Sequence, residues 1–317
     1  MRALIVGGNG FIGSHLAEGL RAGGHAVRVL DPGPARADTD WSGIGYLQGA
    51  YTDAALLDAA LDGIDAVFHL ASTTVPASSN LDPAFDVSSN LLGALGLFAA
   101  IEAKGIRRVV FFSSGGTVYG NPETLPMRED HPLRPISSYG IVKVAVEHYL
   151  RMYGHLGRLD PLILRPSNPY GPRQSAAGGQ GFIAAAIARA RADETLQIWG
   201  DGEVVRDYLY IDDLVDLAIR AAASDACGTF NAGSGDGHSL NAIRAAIERV
   251  AGGAMCVEHL PGRGFDVREV RLDIAAARER FDWTPAVGLD DGIARTWQSL
   301  SPDPDPVQNP LPPGYPR

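Results

Sequence analysis

A glycine-rich turn near the start of the chain constrains the fold more than any other feature. The run Gly7-Gly8-Asn9-Gly10-Phe11-Ile12-Gly13 follows directly on the apolar residues 3–6 and opens a helical pattern over 12–22. Glycines at 7, 10 and 13 permit a tight turn, backbone approach to a pyrophosphate, and close packing of helix on strand. The helix N-terminus offers unpaired N–H groups and partial positive charge to phosphates. We therefore predict a dinucleotide site at this turn.

Short apolar runs and helical patterns alternate along the first half of the chain. The predicted strands are 3–6, 26–30, 46–48, 66–70, 109–113 and 162–164, and the predicted helices are 12–22, 54–61, 88–103 and 138–153. Such alternation indicates βαβ units and a parallel sheet. The continuous apolar run Val109-Val110-Phe111-Phe112 is typical of a strand buried on both faces. We predict an α/β fold, a Rossmann-type doubly wound parallel sheet with a smaller C-terminal lobe that binds the substrate.

An acidic residue ends the second predicted strand and indicates which dinucleotide binds. Asp31 is placed to accept hydrogen bonds from the adenosine ribose hydroxyls. Its carboxylate would repel a 2′-phosphate, which favours NAD over NADP. A turn aspartate before Pro32 is the structural alternative.

The pattern changes after Arg165, where proline and glycine become frequent. We predict an NAD-binding domain over residues 1–166, completed by about 205–233, in which 208–222 and 229–232 return to the main sheet. Residues 167–204 and 234–300 are predicted to form the substrate-binding lobe. A helix over 183–191 and a strand over 196–199 fall inside it. The proline-rich residues 301–317 are predicted to be an extended tail.

Composition excludes several classes of protein. The net charge of −10 argues against general affinity for nucleic acid or anionic membranes. Cys227 and Cys256 form neither a disulfide framework nor a metal-ligand spacing, so we expect two partly buried thiols and no metal. The apolar run 3–6 is too short for a signal-peptide core or a membrane span. We predict a cytoplasmic protein.

Tyr139 and Lys143 carry the signal for chemistry. Four residues apart on a predicted helix, the two side chains lie on one face about one turn apart. An ammonium beside a phenol favours the phenolate, so we expect Lys143 to lower the pKa of Tyr139. The pair would then supply a base for an alcohol proton near neutral pH.

With these motifs in order, the chain resembles the extended short-chain dehydrogenases/reductases, specifically their NAD-dependent nucleotide-sugar epimerase/dehydratase group. The resemblance covers about residues 1–300 and rests on the glycine turn and on Phe68-His69-Leu70-Ala71, Asn90, Phe112-Ser113-Ser114-Gly115-Gly116-Thr117-Val118-Tyr119-Gly120, Tyr139 with Lys143, Leu164-Arg165-Pro166, Gly200-Asp201-Gly202 and Arg206-Asp207-Tyr208.

The resemblance implies roles for individual residues. Lys143 would hold the nicotinamide ribose, and Ser167 would lie near the nicotinamide ring. Asn168, Arg206 and Arg263 would meet the substrate diphosphate, and Val270 would leave room for a 2-acetamido group on the sugar. The implied cofactor contacts are Gly7, Gly10, Phe11, Ile12, Gly13, Asp31, Leu70, Ala71, Asn90, Tyr139, Lys143 and Ser167.

Two positions depart from the family pattern. Ala50-Tyr51 stands where relatives commonly have an aspartate and an apolar residue that contact adenine. Gly115 stands where many relatives have a catalytic serine or threonine. The hydroxyl role would pass to Ser114, to Thr117 or to a water.

The resemblance also suggests the reaction. The dehydratase branch typically carries Thr-Asp-Glu where this chain has Gly115-Gly116-Thr117, so dehydration is disfavoured. C4 epimerisation of a UDP-hexose, UDP-N-acetylhexosamine or UDP-uronate, with retained NAD and Tyr139 as base, is the expected activity. A nucleotide-sugar reductase or decarboxylase is the alternative, and a non-enzymatic dinucleotide sensor is a further one. By family likeness we expect a homodimer.

Overall fold

The computed structural model describes residues 1–176, 181–262 and 267–300. Its strands in chain order are β1 Arg2–Val6, β2 Ala26–Asp31, β3 Ile44–Gln48, β4 Ala66–His69, β5 Arg108–Phe112, β6 Asp160–Pro166, β7 Asn168–Tyr170, β8 Leu196–Trp199, β9 Val205–Arg206, β10 Tyr208–Tyr210, β11 Gly228–Ala232, β12 His238–Ser239, β13 Val257–Leu260 and β14 Glu269–Val270.

The helices are α1 Phe11–Ala22, α2 Ala54–Leu61, α3 Pro76–Ser79, α4 Pro83–Asp86, α5 Gly93–Ala103, α6 Ser138–His155, α7 Phe182–Arg191, α8 Ile211–Ala223, α9 Leu240–Ala251, α10 Ala275–Phe281 and α11 Leu289–Ser299. A π-helical segment, Val87–Leu92, joins α4 to α5. Sequence patterning therefore predicted α1, α2, α6 and α7, and it predicted a helix over 88–103 that begins five residues earlier, at Pro83. It did not predict α8, α9 or α11.

The core is a seven-stranded sheet in the order β11-β6-β5-β4-β1-β2-β3. Every neighbouring pair in it is parallel. Alternate residues of β1 bury into opposite apolar clusters, Ala3 and Ile5 on the face covered by α1 and α8, Leu4 and Val6 on the face covered by α2, α5 and α6. This arrangement confirms the predicted doubly wound parallel sheet.

One predicted return to the main sheet is wrong. β10 pairs with β7 in a separate two-stranded sheet, and the chain then enters α8. All three residues of β10 are buried, as a strand of the main sheet would be, so apolarity alone could not distinguish the two sheets. The other predicted return is confirmed, because β11 pairs with β6 at the edge of the main sheet.

Among the described residues, the predicted smaller lobe contains short strands and the helices α7, α9, α10 and α11. β8 pairs with β13, while β9 lies between β12 and β14 in a three-stranded sheet. Helices α7 and α9 pack on each other, and α9 also contacts α11. The predicted tail lies outside the described residues. Both cysteines are exposed, so the expectation that they are partly buried is wrong.

Within the described ranges, one helical stretch, Pro83–Ala103, is long and apolar enough to cross a membrane by length and composition. Its inner face, which includes Ala94, Leu97 and Phe98, is buried in the cluster shared with α2 and α6. We therefore interpret it as a core helix of the sheet layer. The cytoplasmic location and the absence of a membrane partner remain predictions.

A buried ion pair fixes α6 against the sheet. The side chains of Glu147 and Arg165 are both fully buried and bonded at 2.6 Å and 3.0 Å. Glu147 also accepts a hydrogen bond from Ser113 at 2.5 Å, and Arg165 donates to Tyr119 at 2.8 Å. Arg151 adds a partly exposed third charge at 2.9 Å from Glu147. The network joins α6 to β6 and to the segment that follows β5.

Replacing Arg165 by methionine should strongly destabilise the protein. The variant leaves the Glu147 carboxylate buried without its main partner, and breaking a buried pair in this way costs about 3–5 kcal/mol. The matched control is Arg107→Met, which removes the exposed pair with Asp160 and should cost under about 1 kcal/mol. Chemical denaturation of both variants measures the difference. Equal free energies of unfolding would contradict the importance assigned to the buried pair.

Candidate active site

The glycine turn lies at the C-terminal end of β1 and has the geometry of a phosphate cradle. Gly7 has φ +86°, and a Cβ there would stand 2.6 Å from the Ala71 nitrogen. A Cβ on Gly13 would stand 2.5 Å from the Gly7 oxygen. At Gly10, by contrast, the nearest atom would be 3.5 Å away, and α1 begins there with no side-chain cap. Thus Gly7 and Gly13 are required by packing, while Gly10 leaves open space over the helix N-terminus, as a bound pyrophosphate would need.

Asp31 lies beside this turn, at the end of β2. Its carboxylate accepts hydrogen bonds from the backbone N–H groups of Asn9, at 3.0 Å, and Gly33, at 2.9 Å. It also lines the main cavity, where its remaining lone pairs can accept ribose hydroxyls. The nearby Arg36 guanidinium is paired with Asp38 by two bonds of 2.7 Å. That pairing leaves the site poorly equipped for a 2′-phosphate, so the residues fit NAD.

Tyr139 and Lys143 lie in the first two turns of α6 and line the same cavity. Ser137 caps this helix by accepting from the Gly140 N–H at 3.2 Å. The Lys143 Nζ donates to the Phe112 carbonyl at 2.9 Å and lies 5.4 Å from the centre of the Tyr139 ring. The predicted spacing therefore does bring the two side chains together.

The expected pKa effect is wrong for the protein alone. Burial, together with the smaller effect of the nearby Asp86 carboxylate, raises the pKa of Tyr139 to about 12. Burial also lowers the pKa of Lys143 to about 8. Desolvation penalises both charged forms, and it outweighs the attraction between ammonium and phenolate. A phenolate at this position consequently needs positive charge beyond that of Lys143.

The structure explains the missing hydroxyl at Gly115. A Cβ there would stand 2.6 Å from Cδ1 of Leu272 and 3.0 Å from the Arg165 and Pro166 carbonyl oxygens. Ser114 and Thr117 both line the cavity. The buried Oγ1 of Thr117 has no hydrogen-bond partner among the described residues, which leaves it available to a ligand.

The smaller lobe closes the far end of the cavity. Arg206 lines it and donates from one guanidinium nitrogen to the carbonyls of Val205, at 2.8 Å, and Val267, at 2.7 Å. Asn168 lines it with its amide donating to the Asp207 carbonyl at 2.8 Å. The cavity also contains residues that sequence reasoning missed: Phe182, Gln197, Trp199 and Leu240. The predicted strand over 196–199 was the available signal, but nothing in its composition indicated that it faces a ligand.

All but three of the predicted site residues meet in this one cavity, including Phe11, Ile12, Leu70, Ala71 and Ser167. Asn90 instead lines a small separate cavity of about 10 Å³, together with Tyr139 and Lys143. Val270 is buried in the core and is not among the described lining residues, so its effect on the sugar stays a prediction. Arg263 lies outside the described residues.

Tyr51, at the other departure from the family pattern, is buried. Its hydroxyl donates to the Ser89 carbonyl at 3.0 Å, and it contacts the position of Gly93, where a Cβ would stand 2.4 Å from that hydroxyl. Tyr51 also lines the main cavity.

Comparison with known proteins agrees with this site. The NAD dependent epimerase/dehydratase family matches residues 3–233. A UDP-glucose 4-epimerase of Mycolicibacterium smegmatis is 40% identical over 304 residues, which are 93% of this chain and 97% of that protein. Relatives also include a UDP-glucuronic acid decarboxylase of Danio rerio, at 28% identity, and a dTDP-4-dehydro-6-deoxyglucose reductase of Escherichia coli, at 34%.

Solved structures give the same result. The Thermotoga maritima UDP-glucose 4-epimerase with UDP-glucose has a TM-score of 0.89 at 33% identity, covering 94% of this chain and 98% of that one. The Thermus thermophilus UDP-glucose 4-epimerase with NAD has a TM-score of 0.88 at 34% identity, with the same coverage. The chain belongs to the NAD-dependent epimerase/dehydratase family.

Proposed function

We propose that the protein catalyses redox-neutral C4 epimerisation of a nucleotide-diphosphate sugar with NAD retained in the site. One observation carries the proposal. A single cavity of about 1360 Å³ runs from the glycine turn, past Tyr139 and Lys143, to Arg206 and Trp199 of the smaller lobe. Such a cavity can hold a dinucleotide at one end and a second nucleotide at the other, with Tyr139 where the two would meet.

The residues divide the chemistry between them. Bound NAD would supply a reversible hydride acceptor and a cationic ring whose charge favours the Tyr139 phenolate. Tyr139 takes the proton of the sugar O4 hydroxyl and later returns it, so it ends each cycle unchanged. Thr117 or Ser114 hydrogen-bonds the same oxygen and orients it. Arg206 holds the diphosphate, which lets the sugar turn over without leaving the cavity.

Elimination of water is disfavoured because Gly115-Gly116-Thr117 provides no carboxylate at the site. The relatives that act on UDP-glucose support a UDP-hexose as substrate, and UDP-N-acetylhexosamines and UDP-uronates complete the set to be tested.

Incubation with UDP-glucose, UDP-galactose, UDP-GlcNAc, UDP-GalNAc and UDP-glucuronate, without added reductant, should give a C4-inverted product that reaches equilibrium. NMR of the sugars follows the reaction. Release of CO₂ from UDP-glucuronate would indicate a decarboxylase. Unchanged sugars, with turnover of a 4-keto sugar only when NAD(P)H is added, would indicate a reductase and overturn the proposal.

The matched control for that assay is Tyr139→Phe, which removes the proton carrier and keeps the ring. It should retain NAD while turnover falls by a few orders of magnitude. Near-normal turnover in this variant would remove Tyr139 from the mechanism.

Alanine at Gly13 should mainly lower the stability of the protein, whereas alanine at Gly10 should mainly weaken NAD binding. Gly13→Ala drives a Cβ into the backbone of the turn and should destabilise the protein by about 1–3 kcal/mol. Gly10→Ala meets only ordinary contact and should cost less than about 1 kcal/mol, but its methyl would occupy the pyrophosphate space. We expect at least about tenfold weaker NAD binding by calorimetry, about 1.4 kcal/mol. Unchanged NAD affinity in Gly10→Ala would place the pyrophosphate elsewhere.

We infer that the protein is a homodimer, from an exposed apolar surface on two adjacent helical segments. This surface, the α4–α6 patch, comprises Phe85 and Leu92 on the first segment and Ile141, Tyr149 and Met152 on α6. The three α6 residues are spaced to share one helix face. Clustered exposed apolar side chains of this kind mark interaction surfaces, and a second copy would bury them.

Met152→Asp should therefore shift the protein from dimer to monomer in light scattering, because a charge would be buried at the interface. Leu300→Asp, at an equally exposed apolar position of the smaller lobe, should leave the mass unchanged. A monomeric wild-type protein at micromolar concentration would contradict the assignment.

A further inference from the structure

A buried carboxylate that none of the sequence motifs indicated lies behind Tyr139. Asp86, the last residue of α4, is fully buried. One of its oxygens accepts from Thr74 Oγ1 at 2.6 Å and Asn90 Nδ2 at 2.8 Å, and the other accepts from Ser138 Oγ at 2.6 Å. The donors come from the segment after β4, from the π-helical segment and from the first turn of α6. Asp86 thus joins three separate pieces of chain at one point.

The same neighbourhood holds the start of the catalytic helix by further bonds. The Tyr139 N–H donates to Ser79 Oγ at 3.0 Å, and the Ser138 N–H donates to Asn80 Oδ1 at 2.8 Å. These are N–H groups that a helix cannot satisfy internally. The position of Tyr139 along the cavity is consequently set by side chains of residues 74–90 rather than by α6 alone.

The charge of Asp86 is more than this hydrogen bonding requires. An asparagine could keep its oxygen toward Thr74 and Asn90 and donate its amide to Ser138 Oγ, which reverses only that one bond. A buried carboxylate, by contrast, costs free energy unless its charge is compensated. No salt bridge reaches Asp86 within the described part of the chain. The groups whose charges act on Tyr139 and Lys143 are Asp86 from α4 and Glu147 from α6.

His69, from β4, completes the ionisable surroundings. Burial and the Lys143 charge lower its pKa to about 3, so it is neutral at physiological pH. Asp86 is therefore the negative charge that opposes the Tyr139 phenolate, and it also favours the Lys143 ammonium.

We propose that Asp86 is the positioning residue of the active site, which fixes the start of α6 through Ser138 and sets the electrostatic environment of the Tyr139 hydroxyl. Its charge adds to the larger effect of burial and so disfavours the Tyr139 phenolate in the absence of a cationic ring. The kinetic part of this proposal rests on the proposed function, because it requires turnover. Titration of the Tyr139 hydroxyl does not require turnover.

The test is Asp86→Asn, with Asp82→Asn as its matched control. Asp82 lies in the same stretch but is exposed, so the same chemical change there acts through solvent. The pKa of Tyr139 is read from phenolate absorbance, as the difference between each protein and the same protein carrying Tyr139→Phe, with and without NAD. Removing the Asp86 charge favours the phenolate, so the pKa of Tyr139 should fall by about one pH unit.

The rising limb of kcat/KM should move to lower pH by the same amount in Asp86→Asn and should not move in Asp82→Asn. An unchanged pKa of Tyr139 in Asp86→Asn, or an equal pKa shift in Asp82→Asn, would overturn the electrostatic role of Asp86. A wild-type protein that turns over none of the sugars would sink the proposed function but leave this titration interpretable.

Ser138→Ala tests the positioning role separately, and it serves if Asp86→Asn does not fold. It keeps the carboxylate and removes one bond to α6, so kcat should fall about tenfold while the pH limb stays in place. Ser138→Thr restores the hydroxyl, so it should recover most of the kcat that Ser138→Ala loses. Full activity in Ser138→Ala would overturn the positioning role.

Discussion

The buried Glu147–Arg165 pair is the contact on which the arrangement of the active site depends. Glu147 follows Lys143 by one turn on α6, and Arg165 lies on β6, so the pair fixes that helix relative to the sheet. Buried ion pairs add little net stability compared with apolar packing. Their hydrogen-bond geometry is restrictive, however, and here it also determines where Ser113 and the segment leading to Thr117 lie. The Glu147 carboxylate thereby holds α6 and the segment that follows β5 in place.

Burial, rather than the attraction between Tyr139 and Lys143, dominates the electrostatics of the site. The pKa of Tyr139 is raised to about 12 and that of Lys143 is lowered to about 8, in opposite directions to those that mutual attraction would give. Burial therefore favours the phenol form of Tyr139 in the protein alone. In the proposed function, the positive charge of bound NAD would favour the phenolate that burial disfavours.

The sequence was sufficient wherever the cause of a feature is local. The glycine turn, the parallel strands and the one-turn spacing of Tyr139 and Lys143 follow from neighbours in the chain, and all were predicted. Features that depend on residues far apart in the chain were not predicted. Asp86 appeared as an ordinary polar residue because its partners lie up to 52 positions away. The pKa of Tyr139 was predicted with the wrong sign because burial cannot be seen in a spacing.

At Gly115, the segment that follows β14 packs against the loop that carries Ser114 and Thr117. The space that a side chain would need there is filled by Leu272, which is itself fully buried. Leu272 follows β14 of the smaller lobe, and its N–H donates to the Asp207 carboxylate at 3.2 Å. Its neighbour Arg271 accepts at its carbonyl from the Met127 N–H at 2.8 Å. The segment that follows β14 thus packs directly under the loop that carries Ser114 and Thr117. A serine at 115 would have to displace that packing. In the proposed reaction the hydroxyl role therefore falls to Ser114, to Thr117 or to a water.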